Sequence, residues 1–353
     1  MLTHGGDWQG YREHYGADAL DFSANISPLG LPKGIREAAI KALSHADRYP
    51  DPLCRELRRA IAQKEGVRFE NICCGNGAAD LIFRLTSCRR PRRALVTAPS
   101  FAEYEQALSE GGCRVEYYTL SPEKGFMAGE DILERIVPGL DMLFLCEPNN
   151  PTGAFTPKTL LLRIVRRCAE TGTLLVVDEC FADLTEYPAS HTLKGELERF
   201  PGLLLLKAFT KLYAMAGLRL GYALCSDAAL TAALQQTGQP WAVSSVAQAA
   251  GVAALGEDAY AERVRRLTAS QRPLLQEGLS RLGMLVFPGS ANYILFYSPF
   301  PQLGKQLAAA GVLIRDCSNY RGLGAGWYRT AVRTPEENRR LLEEMERVLE
   351  GRA

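Results

Sequence analysis

Short strand-like runs alternate with amphipathic stretches through the first two thirds of the sequence. The runs lie at 71–75, 94–98, 113–120, 141–147, 173–179, 202–209 and 218–225, and helical spacing of apolar residues fills most intervals between the earlier ones. Short apolar runs separated by helical segments are typical of βαβ units, whose strands lie parallel in one sheet. The alternation therefore predicts an α/β fold with a mainly parallel sheet.

The sequence on either side of this region has a different pattern. Residues 1–30 have little helical periodicity and end near Pro28 and Gly30, which indicates an extended arm. Long helical stretches cover about 227–282, and mixed strand and helix patterns follow. Because single cores stop growing near ~250–300 residues, we predict an N-terminal arm at 1–30, a large domain at 31–226, and a small α+β domain at 227–353.

Composition limits the classes of partner. The chain has 41 Lys and Arg against 40 Asp and Glu, so no overall field favours nucleic acid or an anionic membrane. The ten cysteines lack the paired spacing of a zinc site, so we expect reduced thiols and no metal. No run of eighteen apolar residues and no secretory leader pattern is present. We expect a cytoplasmic protein that acts on a small molecule.

Lys211 is the most informative candidate for chemistry. It follows the buried run 202–209, and Arg219 lies eight residues further on. A lysine just past a strand end can form a Schiff base, while an arginine near it binds a phosphate. The alternative is a basic surface loop.

Three further segments support a site at the carboxyl edge of the sheet. Asp178 ends an apolar run, and Asn150 follows another; each of them could instead serve an ordinary turn. The glycine turn around Gly77 joins a strand to a helix, so its backbone N–H groups can hold a phosphate. Such a turn is weak support when it stands alone.

Taken together in this order, these segments resemble the fold-type I family of pyridoxal 5′-phosphate (PLP) enzymes. The resemblance rests on Gly-Asn-Gly-Ala-Ala-Asp at 75–80, Pro-Asn-Asn-Pro-Thr-Gly at 148–153, Val-Asp-Glu at 177–179, and Thr-Lys with Gly-Leu-Arg-Leu-Gly at 210–221. It covers nearly the whole chain. It implies the aspartate-aminotransferase-like fold and PLP as the cofactor.

The resemblance also implies roles for individual residues. Lys211 matches the lysine that carries the cofactor, and Asp178 matches the partner of its ring nitrogen. Tyr49 matches a tyrosine that reaches the cofactor phosphate of a neighbouring subunit, which implies a homodimer with shared sites. The remaining positions that match cofactor-binding residues are Gly77, Ala78, Ala79, Tyr104 (stacked on the ring), Asn150, Thr210 and Arg219.

Two positions depart from the family pattern. Ala208 stands where the family commonly has Ser or Thr in its phosphate cup, so Thr210 compensates or the affinity for the cofactor is lower. Phe181 stands where aminotransferases of the histidinol-phosphate group usually have a tyrosine that hydrogen-bonds the cofactor. Its absence alters how the bound cofactor is tuned.

For the substrate, Arg315 and Arg329 match two arginines that the family directs into the site, and bidentate guanidinium groups suit a carboxylate and a phosphate. His4, Asn25 and Asn150 are further candidates. The segments 4–6, 21–30, 101–104 and 314–320 resemble threonine-phosphate decarboxylases of cobalamin biosynthesis more than histidinol-phosphate aminotransferases.

We therefore expect decarboxylation of an O-phosphorylated amino acid, either threonine phosphate or serine phosphate. A histidinol-phosphate-type aminotransferase is the alternative, since the same residues serve it. A third hypothesis is a PLP-binding regulator without turnover. Such proteins normally append a DNA-binding domain, and the sequence has no basic helix-turn-helix segment.

Overall fold

A computed structural model describes residues 4–351. Strands and helices alternate from Ile72 to Cys225, as the sequence pattern predicted. The strands in chain order are β1 (Leu20–Asp21), β2 (Ile72–Gly75), β3 (Arg93–Ala98), β4 (Arg114–Thr119), β5 (Met142–Cys146), β6 (Leu174–Asp178), β7 (Leu203–Ala208), β8 (Gly221–Cys225), β9 (Leu285–Val286), β10 (Tyr293–Tyr297), β11 (Val312–Leu313), β12 (Arg315–Asp316) and β13 (Trp327–Ala331).

The α-helices connect and cover these strands. In chain order they are α1 (Trp8–Tyr15), α2 (Lys33–Leu43), α3 (Arg55–Glu65), α4 (Ala78–Arg89), α5 (Ala102–Glu110), α6 (Ile132–Arg135), α7 (Lys158–Thr171), α8 (Pro188–His191), α9 (Phe209–Leu212), α10 (Ala228–Gln236), α11 (Ser245–Ala254), α12 (Asp258–Arg281), α13 (Leu303–Ala309) and α14 (Pro335–Glu350).

Seven strands form the large sheet in the order β2-β8-β7-β6-β5-β3-β4. All neighbouring pairs from β7 to β4 are parallel, and β8 is antiparallel to both β7 and β2. Side chains alternate across the sheet, so Leu143 and Leu145 pack in one core while Phe144 packs in the other. Both faces are therefore covered, which explains why the strands read as continuous apolar runs. The α/β prediction is confirmed.

The C-terminal part contains a second sheet, antiparallel, in the order β12-β13-β10-β9. It has its own apolar core, to which Phe22 from the N-terminal segment contributes. Strand β1 pairs in parallel with β11. The Phe22 carbonyl also accepts the backbone N–H of Ala331 on β13, so the N-terminal segment is fastened to the C-terminal part. The domain boundaries at 30 and 226 stay predictions.

Helix α1 was not expected from the sequence. The Asp7 side chain accepts a hydrogen bond from the Gly10 N–H at the start of the helix, and Gly16 ends it in a left-handed conformation. Only Tyr11 of its eight residues is buried, and its hydroxyl donates to the Ala308 carbonyl at 2.8 Å. A helix held by one side chain has no apolar stripe, so periodicity could not reveal it.

Candidate active site

Seven of the predicted cofactor residues meet at the carboxyl edge of the large sheet. Asp178 ends β6, and Lys211 lies on α9 directly after the neighbouring strand β7. Because β5, β6 and β7 are parallel, their carboxyl ends open into one pocket. The predicted residues that line it are Ala78, Ala79, Asn150, Asp178, Thr210, Lys211 and Arg219. Its wall also contains Phe101, Cys146, Cys180, Phe181 and Ala208.

The Lys211 amine is placed to act as a nucleophile. It is enclosed, and burial lowers the pKa of its ammonium group, with the positive charges of Arg329 and Arg219 acting in the same direction. Its Nζ atom lies 5.4 Å from the centre of the Phe181 ring. Loss of the proton from an amine in such surroundings leaves the neutral form that attacks a carbonyl carbon.

The Asp178 carboxylate is fixed at both oxygens. Oδ1 accepts the Cys180 backbone N–H at 2.9 Å, and Oδ2 accepts the Tyr104 hydroxyl at 2.6 Å. Burial, followed by the negative charge of Asp178, raises the pKa of Tyr104, so its hydroxyl stays protonated and donates. A carboxylate held in this way is ready to pair with a cationic ring nitrogen.

The structure corrects the role expected of Tyr104. Its ring is wholly buried beneath the pocket and stacks on Phe144 with 4.9 Å between ring centres, and it is Phe101 that lines the pocket. Phe101 immediately precedes α5, at the carboxyl edge of β3, whereas Tyr104 lies one turn into the helix and faces the sheet. Position in the short loop between the end of β3 and the start of α5 is the sequence feature that points to Phe101.

The hydrogen bond from the Tyr104 hydroxyl to the Asp178 carboxylate can be tested by substitution. Tyr104→Phe removes the hydroxyl that donates to Asp178 Oδ2 and leaves the ring in place. We expect kcat/KM to fall by about 10- to 150-fold, since a hydrogen bond to a buried charge contributes roughly 1.5–3 kcal/mol. Steady-state kinetics of the holoenzyme would measure it. Tyr118→Phe is the matched control, because it removes a hydroxyl bonded to Asp131. Equal losses in both variants would contradict a specific role for Tyr104.

The opposite end of the pocket is suited to an anion. Gly77 has a φ of +85°, and a side chain on it would come within 2.7 Å of the Arg219 guanidinium. Glycine is therefore required for the guanidinium to approach the start of α4. The Arg219 Nη1 atom also donates to the Ala216 carbonyl at 3.2 Å. Backbone N–H groups at a helix start beside an arginine form a phosphate-binding arrangement.

Arg329 joins the substrate candidates to this pocket. Its guanidinium is buried, donates to the Asn150 side-chain oxygen, and donates to the Ser23 carbonyl at 3.0 Å, while its Nε atom has no hydrogen-bond partner within residues 4–351. Asn25, two residues beyond Ser23, is buried with neither amide atom bonded within the described chain. An unbonded buried atom on a side chain that contacts a pocket residue, as the Arg329 guanidinium contacts Asn150, fits a site that takes a polar ligand.

Arg315 lies beside Arg329 in the antiparallel sheet, since the two residues are register partners on β12 and β13. It donates to Asn319 at 2.8 Å and, together with His4, lines an adjoining cavity that Phe101 also borders. The structure therefore brings His4 and Arg315 together next to the Lys211 pocket.

Tyr49 is not brought to the pocket. Its side chain is 80% exposed and stacks on Trp241 with 4.4 Å between ring centres. Its expected role toward a neighbouring subunit stays a prediction.

The pocket fits the cofactor that the sequence resemblance implies. Lys211 can carry an aldehyde as a Schiff base, and Asp178 can hold the proton of a ring nitrogen. Arg219 and the start of α4 can receive a phosphate, and Phe101 offers a ring face. Both Ala208 and Thr210 line the wall, so the missing hydroxyl at 208 has a candidate substitute two residues away.

This pocket, at the carboxyl edge of such a sheet, defines an enzyme with the aspartate-aminotransferase-like fold. The family model described as aminotransferase class I and II matches residues 17–345. The chain belongs to this family, and it is a PLP-dependent enzyme.

Similar proteins have two different activities. A threonine-phosphate decarboxylase from Salmonella typhimurium is 38% identical over 335 residues, which cover 94% of this chain and 92% of that protein. A histidinol-phosphate aminotransferase from Desulfitobacterium hafniense is 34% identical, with 94% and 92% covered. The solved histidinol-phosphate aminotransferase from Clostridium acetobutylicum has a TM-score of 0.87 at 26% identity, with 93% and 98% covered.

Proposed function

We propose that this enzyme removes the α-carboxyl group of an O-phosphorylated amino acid, with L-threonine O-3-phosphate or its serine analogue as substrate. The observation that carries the proposal is the pair of buried arginines, Arg315 and Arg329, on adjacent strands. An amino-acid phosphate has two anionic groups, a carboxylate and a phosphate, whereas histidinol phosphate has only the phosphate. The similarity to the Salmonella decarboxylase supports the same choice.

The two arginines would take different groups. Arg329 contacts Asn150 and raises the local positive charge at Lys211, so we assign it the α-carboxylate near the reacting carbon. Arg315 lines the adjoining cavity with His4, so we assign it the phosphate. Asn25, buried with unbonded amide atoms, is a candidate to donate to the same substrate.

When bound, the cofactor supplies a ring that accepts the electrons of the broken bond. Asp178 would keep a proton on the ring nitrogen, Asn150 would donate to the ring oxygen, and Arg219 with Ala78 would bind the phosphate. Arg329 sets the direction of the carboxylate, which decides the bond that breaks. Lys211 then returns a proton to Cα after carbon dioxide has left.

The direct test is an assay of the enzyme with the amino-acid phosphate and without a keto acid, which an aminotransferase would need. With O-phosphothreonine alone, we expect carbon dioxide and 1-aminopropan-2-ol phosphate, detected by mass spectrometry. O-Phosphoserine in parallel reports the effect of the methyl group, which contributes roughly 1–3 kcal/mol in a pocket.

A histidinol-phosphate-type aminotransferase is the second candidate, favoured by the relatives from Desulfitobacterium and Clostridium. Glutamate formed from histidinol phosphate and 2-oxoglutarate, without carbon dioxide from O-phosphothreonine, would establish this alternative and overturn the decarboxylase.

We also propose that the enzyme is a cytoplasmic homodimer. No helix within 4–351 has the length and apolar character needed to cross a bilayer, and all ten cysteines are free thiols. Helix α2 exposes Ile40 and Leu43 to 60% and 57%, and Tyr49 lies just beyond its end. Exposed apolar side chains on one helix suit burial against a second copy.

The dimer can be tested at the same face. We expect light scattering to give twice the chain mass for the wild type and a monomer for Ile40→Asp/Leu43→Asp, because a buried unpaired carboxylate is costly. Leu274→Asp, equally exposed at 57% on α12, is the matched control and should stay dimeric. A fully active wild-type monomer at micromolar concentration would contradict the proposal.

A further inference from the structure

The segment His4-Gly5-Gly6 is fastened beside the substrate residues. The Gly6 N–H donates to the Ser23 hydroxyl at 2.8 Å, and Gly5 packs so tightly on the Ser23 carbonyl that a side chain there would overlap it. The same Ser23 carbonyl accepts the Arg329 guanidinium at 3.0 Å. One anchor of the N-terminal segment therefore lies directly on a residue that holds Arg329.

The second anchor lies on the other side of the site. His4 Nε2 is 2.9 Å from Oε1 of Glu103 on α5, and the His4 ring centre is 6.1 Å from that of Phe101. The other oxygen of Glu103, Oε2, is buried and has no hydrogen-bond partner in the described part of the chain. His4 thus spans from Glu103 to the cavity that Arg315 lines.

A carboxylate this close to a phosphate site requires an explanation, because it would repel the phosphate. The His4 imidazole, which lies between the Glu103 carboxylate and the cavity, provides this explanation. When both ring nitrogens carry hydrogen, Nε2 donates to Glu103 and Nδ1 remains to donate to an anion. Glu103 then acts on the anion through His4, as outer carboxylates orient histidines in other sites.

We propose that Glu103 is a positioning residue that holds His4 over the cavity, so that the imidazole binds the distal anionic group of the substrate. The inference rests on the proposed function insofar as that group is a phosphate. It adds to the site a residue that does not line the Lys211 pocket. It also accounts for the two glycines after His4, because Gly5 lets the backbone lie against the Ser23 carbonyl and Gly6 adopts a φ of +88°.

The test is a double-mutant cycle on the full-length holoenzyme with O-phosphothreonine. We expect Glu103→Gln to raise KM about tenfold while kcat changes less than about twofold. His4→Ala should raise KM by a similar factor. In the His4→Ala background, Glu103→Gln should add little, because the group through which it acts is absent. Glu110→Gln, on the same helix and exposed, is the matched control.

Additive effects of the two substitutions, or a loss in kcat without a change in KM, would overturn the inference, since a purely structural role for Glu103 would persist without His4. A second measurement keeps this test separate from the decarboxylase proposal. Calorimetric titration of each holoenzyme with inorganic phosphate should show the same non-additive pattern in Kd. If the wild type released no carbon dioxide but this pattern held, the proposed reaction would fail and the role of Glu103 would stand.

Discussion

Lys211→Ala is expected to abolish turnover. The wild-type amine is buried, its pKa is lowered, and it lies in the pocket with Asp178 and Asn150. It is proposed both to bind the cofactor covalently and to return a proton to the substrate, and a positioned acid or base alone contributes roughly 10²–10⁴-fold. We therefore expect carbon dioxide release from O-phosphothreonine to fall by at least ~10³-fold.

Two controls separate chemistry from folding. Lys211→Arg keeps a cation but cannot form the covalent link, so it should be equally inactive. Lys207→Arg changes a buried lysine four residues earlier, whose ammonium pairs with Asp183 at 3.1 Å and Glu65 at 3.4 Å. An arginine can keep both pairs, so activity should persist.

The covalent link can be measured without turnover. Borohydride treatment of the wild-type holoenzyme should fix the cofactor to the peptide that contains Lys211, as read by mass spectrometry. Normal activity in Lys211→Ala, or labelling of another lysine, would show that the assignment is wrong.

The part of the site that lies at strand ends was predictable from the sequence. Asp178 and Lys211 follow long apolar runs, and parallel strands bring their carboxyl ends to one edge. Their convergence therefore follows from topology, without knowledge of the side-chain contacts. The mainly parallel α/β sheet has the same origin, because alternating strands and helices leave few arrangements. The aspartate-aminotransferase-like fold in particular, which is also confirmed, was implied by the family resemblance.

Contacts made by long-range packing were not predictable. The sequence resemblance put Tyr104 on the cofactor ring, but the helix that begins at Ala102 turns this residue inward, where its hydroxyl meets Asp178. Glu103 has no feature of its own in the sequence. Its importance depends on contact with His4, 99 positions away along the chain, and a single sequence gives no measure of that proximity.

Arg329→Ala is expected to have the second large effect. The guanidinium is buried, bonded to Asn150 and to the Ser23 carbonyl, and its Nε atom lacks a partner within residues 4–351. Loss of a charge-assisted pair with the substrate carboxylate should cost at least ~2 kcal/mol in kcat/KM, about a 30-fold decrease. Arg329→Lys should restore only part of the rate, because a lysine lacks the planar fork.

A comparison of O-phosphothreonine with threonine as substrates can distinguish the roles of Arg329 and Arg315. If Arg329 binds the carboxylate, Arg329→Ala should reduce kcat/KM for both O-phosphothreonine and threonine. If Arg315 binds the phosphate, Arg315→Ala should reduce it only for O-phosphothreonine and so remove the preference for the phosphorylated substrate. Arg347→Ala, an exposed arginine on α14, controls for the loss of charge alone.

Replacement of Arg329 should change which bond of the substrate breaks, as well as how tightly the substrate binds. The direction in which the substrate carboxylate is held decides which bond at Cα breaks, and Arg315 and Arg329 are proposed to fix that direction. A misdirected carboxylate leaves the Cα–H bond exposed instead, so Arg329→Ala supplied with 2-oxoglutarate should show a raised ratio of glutamate to carbon dioxide. An unchanged ratio, together with equal losses on both substrates in Arg315→Ala, would show that the two arginines do not divide the anions in this way.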